Sequence, residues 1–158
     1  MSRALRTAAL VLLAVSLGCT SSDPTNGPSF FPLVYSDFTA ATPLEVSIAG
    51  TAVFRDDASW TTFWQANTPL GTPVPPNDFN DEMLIAVFWG AGRTGCDQFI
   101  NAIDRVRVRI DNVNTLGVIE VEVGLLPNLG DCNVPLQPLQ VIAVDATSTM
   151  VDFVGFVP

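Results

Sequence analysis

A chain of 158 residues carrying 16 Asp and Glu against 7 Arg, with no lysine and no histidine, has the length for one domain with a true core. The missing histidine removes the usual zinc ligand, triad base and proton shuttle, and the missing lysine excludes Schiff-base and P-loop chemistry. A formal charge of −9 repels nucleic-acid phosphates and anionic surfaces, so neither nucleic acid nor nucleotide is expected as a partner, and no cofactor or metal is expected.

Residues 1–18 read as a secretion signal: Arg3 and Arg6 form a positive start, residues 8–17 are apolar, and Gly18 precedes Cys19. That apolar run is about half the ~20 residues needed to cross a bilayer, which argues against a spanning helix. The run closes on Ser16-Leu17-Gly18-Cys19, in which Gly18 and Cys19 fit a lipidation site while Leu17 and Ser16 depart from its usual order. The expectation is a diacylated Cys19 that anchors the chain in the cell envelope, with an ordinary signal cut near Gly18 or Ser22 as the alternative. Thr20 follows the cysteine, which by Gram-negative sorting habits favours the outer membrane, facing periplasm or cell surface. Residues 19–30, rich in Ser, Pro, Asn and Gly, read as the lipidated cysteine and its flexible tether. Residues 31–158 form the single globular domain, and loss of Arg3 and Arg6 leaves five arginines against 16 acids.

Within the domain, Leu44, Val46 and Ile48 alternate with Glu45 and Ser47, as in a half-buried strand. Gly50 interrupts before residues 51–54 resume extended structure. Asp56 and Asp57 can cap a helix over about 56–66, in which Trp60, Phe63 and Trp64 share one face at i, i+3, i+4. That aromatic face reads as the one pinning the helix to a sheet. Prolines stiffen residues 69–77, and residues 83–89 are apolar on both parities, the mark of a central strand covered on both faces.

Arg105, Arg107 and Arg109 alternate with aliphatics, as do Glu120 and Glu122. A hairpin turning near Asn114 would set Arg109 opposite Glu120 and Arg107 opposite Glu122, so the arginine stripe is answered internally rather than by nucleic acid. Two further strands follow, over residues 139–144 and 150–157. The elements together predict an α+β, mainly β fold: an antiparallel sheet or curled half-barrel with one aromatic-faced helix packed on it.

Several stretches look like chemistry. Gly90-Ala91-Gly92-Arg93-Thr94-Gly95 is a literal G-x-G-x-x-G, but Cys96 follows at once with no evident helix, so a glycine-rich turn between strands is the expectation. Asp78, Asn80, Asp81 and Glu82 lack the alternate spacing of an EF-hand and read as a solvated turn. With Cys19 lipidated, Cys96 and Cys132 remain as a pair, and an exported protein is expected to bridge them across a loop of about 37 residues.

Residues 53–146 resemble the C-terminal domain family of the protease-complex lipoprotein PrcB. The similarity runs through FRDDASWTTFW, PPNDFNDEMLIAVF, GAGRTG and PLQVIAV in that order. Cys96-Asp97 stands where the family tends to continue with a further glycine and an aromatic. The resemblance implies a lipid-anchored accessory module without catalytic residues. The expectation is therefore a binding domain acting by protein–protein contact, stabilising a secreted protease or another envelope protein, with Trp89 and Arg93 as candidate contacts. A small-ligand or carbohydrate binder using exposed tryptophan, and a carboxylate-only hydrolase, are the alternatives.

Overall fold

A computed structural model describes residues 28–38, 44–96, 103–110, 117–125 and 130–157. In chain order the elements are β1 (Ser29–Pro32), β2 (Ser36–Asp37), β3 (Ala49–Phe54), α1 (Asp57–Ala66), β4 (Glu82–Trp89), β5 (Arg93–Gly95), β6 (Ile103–Ile110), β7 (Val118–Val123), β8 (Val134–Leu136), β9 (Leu139–Asp145) and β10 (Val151–Val154). The signal, Cys19 and the turn about Asn114 lie outside the described residues. Among the described residues the chain is mainly β with one short helix, and its sheets are open.

Strand β4 organises the molecule because its side chains are apolar on both faces. One sheet runs β2-β9-β4-β3, all antiparallel, with β4 inside it. Met83, Ile85, Val87 and Trp89 face a second sheet of order β1-β6-β7-β10 and meet Ile103, Val106, Ile119, Val121 and Val123 there. Leu84 and Ala86 point the other way, onto Trp60 and Trp64 of α1. The result is three layers: sheet, sheet, helix. A two-stranded ladder of β5 and β8 stands apart from both sheets.

The helix begins where the sequence supplies its cap. Asp56 is extended (φ −154°, ψ 155°), and its carboxylate accepts from the Ser59 amide at 2.7 Å. Asp57 in the first turn complements the dipole. At the far end, Asn67 Nδ2 donates to the Phe63 carbonyl and Thr68 Oγ1 to that of Trp64, satisfying two carbonyls that the helix leaves open. Trp60 and Trp64 are 1% and 0% exposed. Each indole removes on the order of 200 Å² from water, so the two together hold the helix layer in place.

Four expectations need correction. Ser29 and Phe30 belong to β1, paired antiparallel with Ile110 and Arg109, so the sheet reaches into the segment read as tether. Residues 44–48 form no strand: Leu44 and Val46 are buried against the helix layer, but Ile48 is 76% exposed and the ladder starts at Ala49. Gly50 is no break. It sits in β3 opposite Phe88, whose ring would lie 2.9 Å from any added Cβ, so the glycine makes room for an aromatic neighbour. Finally, the β6–β7 register is offset by two residues: Glu120 pairs with Arg107 and Glu122 with Arg105. The offset is even, so the aliphatics keep their face and the core is unchanged. Strand β10 adds a parallel pair to β7, with Val151 opposite Ile119, which period-2 alternation does not encode.

Candidate functional site

The glycine-rich segment becomes a turn that launches an arm. Gly90 follows β4 with φ +70°, and a Cβ there would sit 2.7 Å from the Ala49 amide nitrogen and 2.9 Å from the Ser47 carbonyl oxygen. Only glycine combines that dihedral with so close a backbone neighbour. Ala91 N–H then donates to the Ser47 carbonyl at 3.1 Å. Strand β5 follows and pairs with β8, placing Arg93 opposite Leu136 and Gly95 opposite Val134. The third glycine of the motif thus lies in a strand rather than at the helix start where a dinucleotide site places it.

Just beyond this ladder a disulfide joins Cys96 to Cys132, with Cα atoms 4.9 Å apart. Both cysteines are exposed, while Leu136 at the base of the arm and Gly95 at its disulfide end are buried. Arg93 is half-buried at the first residue of β5. Trp89, taken from the sequence as a contact beside Arg93, is 4% exposed, with its ring 5.9 Å from that of Phe156. It belongs to the core between the sheets, because β4 alternation turns it inward, and it offers no surface to a partner.

The outer face of the β1-β6-β7-β10 sheet carries a charge ladder. Glu120, the one buried carboxylate among the described residues, accepts from Arg107 Nε at 2.8 Å and from Arg107 Nη2 through the same Oε1. Its Oε2 accepts from Arg109 Nη1 at 2.8 Å. Arg109 Nη1 also lies 3.5 Å from Asp152 on β10, and Arg105 Nη1 lies 3.7 Å from Glu122. Burial pushes the Glu120 carboxyl up, but the hydrogen bonds and charges of both guanidiniums outweigh it and hold the group below its ordinary value. That is the reverse of what a general acid needs.

This ion pair makes a pH-dependent contribution of known sign. Because the folded pKa is depressed, the stabilisation is present above the unfolded value of about 4.3 and is lost as pH falls through the folded one. Glu120→Gln leaves two arginine side chains, 21% and 25% exposed, without their main partner, and lowers stability at neutral pH by about 1–3 kcal/mol. Urea denaturation at pH 7 and pH 3 reads the difference, and the gap between variant and parent closes at the acid end. A gap that is the same at both pH values contradicts the assignment.

Among the described residues the remaining acids form no metal-holding group. Asp78 Oδ1 accepts from the Asn80 amide at 3.1 Å and from Asn80 Nδ2 at 3.0 Å, and its carbonyl accepts from the Asp81 and Glu82 amides. The cluster is thereby a self-closed turn leading into β4. No group of three or more Cys, Asp or Glu placed to hold a metal occurs among the described residues. The indoles of Trp60, Trp64 and Trp89 are all in the core, which leaves them no free face on which a sugar could stack.

One buried polar device escaped the sequence reading: Gln140 of β9 is 2% exposed and its Oε1 accepts from the Ile103 amide at 2.9 Å, tying the two sheets. A lone Gln within an aliphatic run carries no pattern that would mark it. Comparison with known proteins found no matching family model, no matching curated protein and no matching solved structure.

Proposed function

We propose that this chain is a lipid-anchored, extracytoplasmic accessory domain that acts by protein–protein contact through the β5–β8 arm. The observation that carries the reading is the arm itself: a three-residue ladder outside both packed sheets, stapled by an exposed disulfide. So short a ladder has too few bonds to hold its shape unaided, and the staple fixes it as a defined surface. The disulfide also supports an oxidising compartment, consistent with the signal-like residues 1–18 and Cys19. Arg93, at the base of the arm, supplies a fork of donors suited to a carboxylate on the partner. The resemblance of residues 53–146 to the PrcB C-terminal domain makes a secreted protease or another envelope protein the partner to seek.

The test is affinity capture from detergent-solubilised envelopes with the full chain and with Arg93→Glu. A specific protein is recovered with the parent, and about tenfold less of it with the variant, while the far-ultraviolet circular dichroism of the two is the same. Repeated recovery of no partner, or equal recovery with both chains, overturns the proposal.

A further inference from the structure

The first folded segment exposes more apolar surface than its position in a sheet explains. Phe30 is 42% exposed, Phe31 53%, Val34 88% and Tyr35 37%, in a run (FFPLVY) that opens the domain. Single exposed hydrophobics are ordinary, but four large ones within six residues are not. Among the described residues β1 is an edge strand, with no strand paired on its outer side. Alternation turns Phe31 toward the inner face, where it stays half-uncovered, and Phe30 toward the outer one. Arg107 lies over the Phe30 ring, with its guanidinium carbon 4.0 Å from the centroid.

We infer that residues 30–35 are a second membrane contact, seated in the interfacial layer of the bilayer to which Cys19 anchors the chain. The inference rests on the anchored reading above. Only nine residues separate Cys19 from β1, so covalent geometry keeps the start of the strand within about 40 Å of the acylated sulfur. That span is short enough for the segment to lie against the bilayer and too short to carry it far away. Aromatic side chains with an adjacent cation suit that layer, where rings meet the acyl boundary and guanidiniums meet phosphates.

Charge points the same way. The five arginines outside the signal stretch face 16 acids in all, yet on the sheet beside β1 the ladder sets Arg105, Arg107 and Arg109 against Glu120, Glu122 and Asp152. Those six side chains balance, and with Asp104 beside Gly124 the face carries one excess acid while the chain as a whole is strongly negative, so it meets an anionic surface with little repulsion.

The experiment uses the full chain carrying Phe31→Trp, reconstituted in phosphatidylcholine vesicles that contain lipid brominated near the glycerol end of the acyl chains. The native indoles, at 1%, 0% and 4% exposure, give a background that the quencher does not reach. Val34→Trp is a second reporter, and Leu70→Trp, in the turn after α1 and fully exposed, is the control. The two reporters lose most of their added emission and the control does not. Intact mass of the same preparation reads the acyl group on Cys19. Quenching without acyl mass removes the anchor and leaves the contact standing. Acyl mass with both reporters unquenched, or with the control quenched equally, overturns the contact and leaves the anchor.

Discussion

Trp60→Ala lowers the free energy of unfolding by about 3–5 kcal/mol, the range for deleting a large buried aromatic. The side chain is 1% exposed and is the hub of the helix layer. Its ring centroid lies 5.8 Å from Phe38, 5.1 Å from Phe54, 5.9 Å from Phe63 and 5.4 Å from Trp64. Its Nε1 donates to the Pro75 carbonyl at 3.1 Å, which fastens the proline-rich connection back onto the helix. Alanine therefore opens a cavity and orphans a carbonyl at one stroke. Phe at the same position keeps most of the packing and loses the hydrogen bond, so Trp60→Phe costs about 1–2 kcal/mol. Urea denaturation followed by circular dichroism separates the two. Equal effects from Ala and Phe would show that the hydrogen bond, rather than the packing, dominates.

Removal of the disulfide by Cys96→Ser with Cys132→Ser lowers stability by about 3–4 kcal/mol in the loop-entropy account. The bridged cysteines are 36 positions apart and enclose β6 and β7, so the constraint on the unfolded chain reaches one half of the sandwich. The local consequence is larger in kind. Without the bridge, the β5–β8 ladder of three residue pairs loses its outer fastening, and Leu136, 8% exposed, is left to hold it. Amides of residues 93–95, 134 and 136 then exchange at rates near those of open chain, while β4, β7 and β9 stay protected. Hydrogen exchange on oxidised and double-serine proteins reads both effects, and protection that persists in the arm of the variant contradicts the assignment. Loss of the arm without loss of the sandwich also separates binding from folding, because partner capture then fails in a protein that is still folded.

Both predictions concern features whose signals are local. The helix start was legible because Asp56 and Asp57 stand together as cap and first-turn acid, and its inner face because Trp60, Phe63 and Trp64 repeat with the helical period. The double covering of β4 was legible because no polar residue interrupts residues 83–89 on either parity. The Cys96–Cys132 bridge followed from counting cysteines, once Cys19 was set aside. Even the opposition of Arg and Glu on one face was visible, since strand parity is a property of each segment alone.

Register is not such a property. Whether Glu120 meets Arg107 or Arg109 depends on the turn and on how β1 and β10 flank the pair, and an offset of two residues preserves every local pattern. Glu120 in fact binds both arginines, so the charges alone could not choose between the registers. The same reason explains Trp89: an indole at a strand end beside a glycine turn reads as accessible until the other sheet and Phe156 close over it.

The amino-acid order by itself determined the strands over residues 51–54, 83–89, 105–109, 119–123 and 139–144, where the helix begins, which faces are apolar and which cysteines pair. Those depend on periods of 2 and 3.6 residues and on short-range caps. The tertiary structure alone decided the register, the parallel seat of β10, the recruitment of Ser29 and Phe30 into a strand, and which tryptophans see solvent. Each of these is a contact between residues far apart in the chain, and its free energy exists only once both partners are in place.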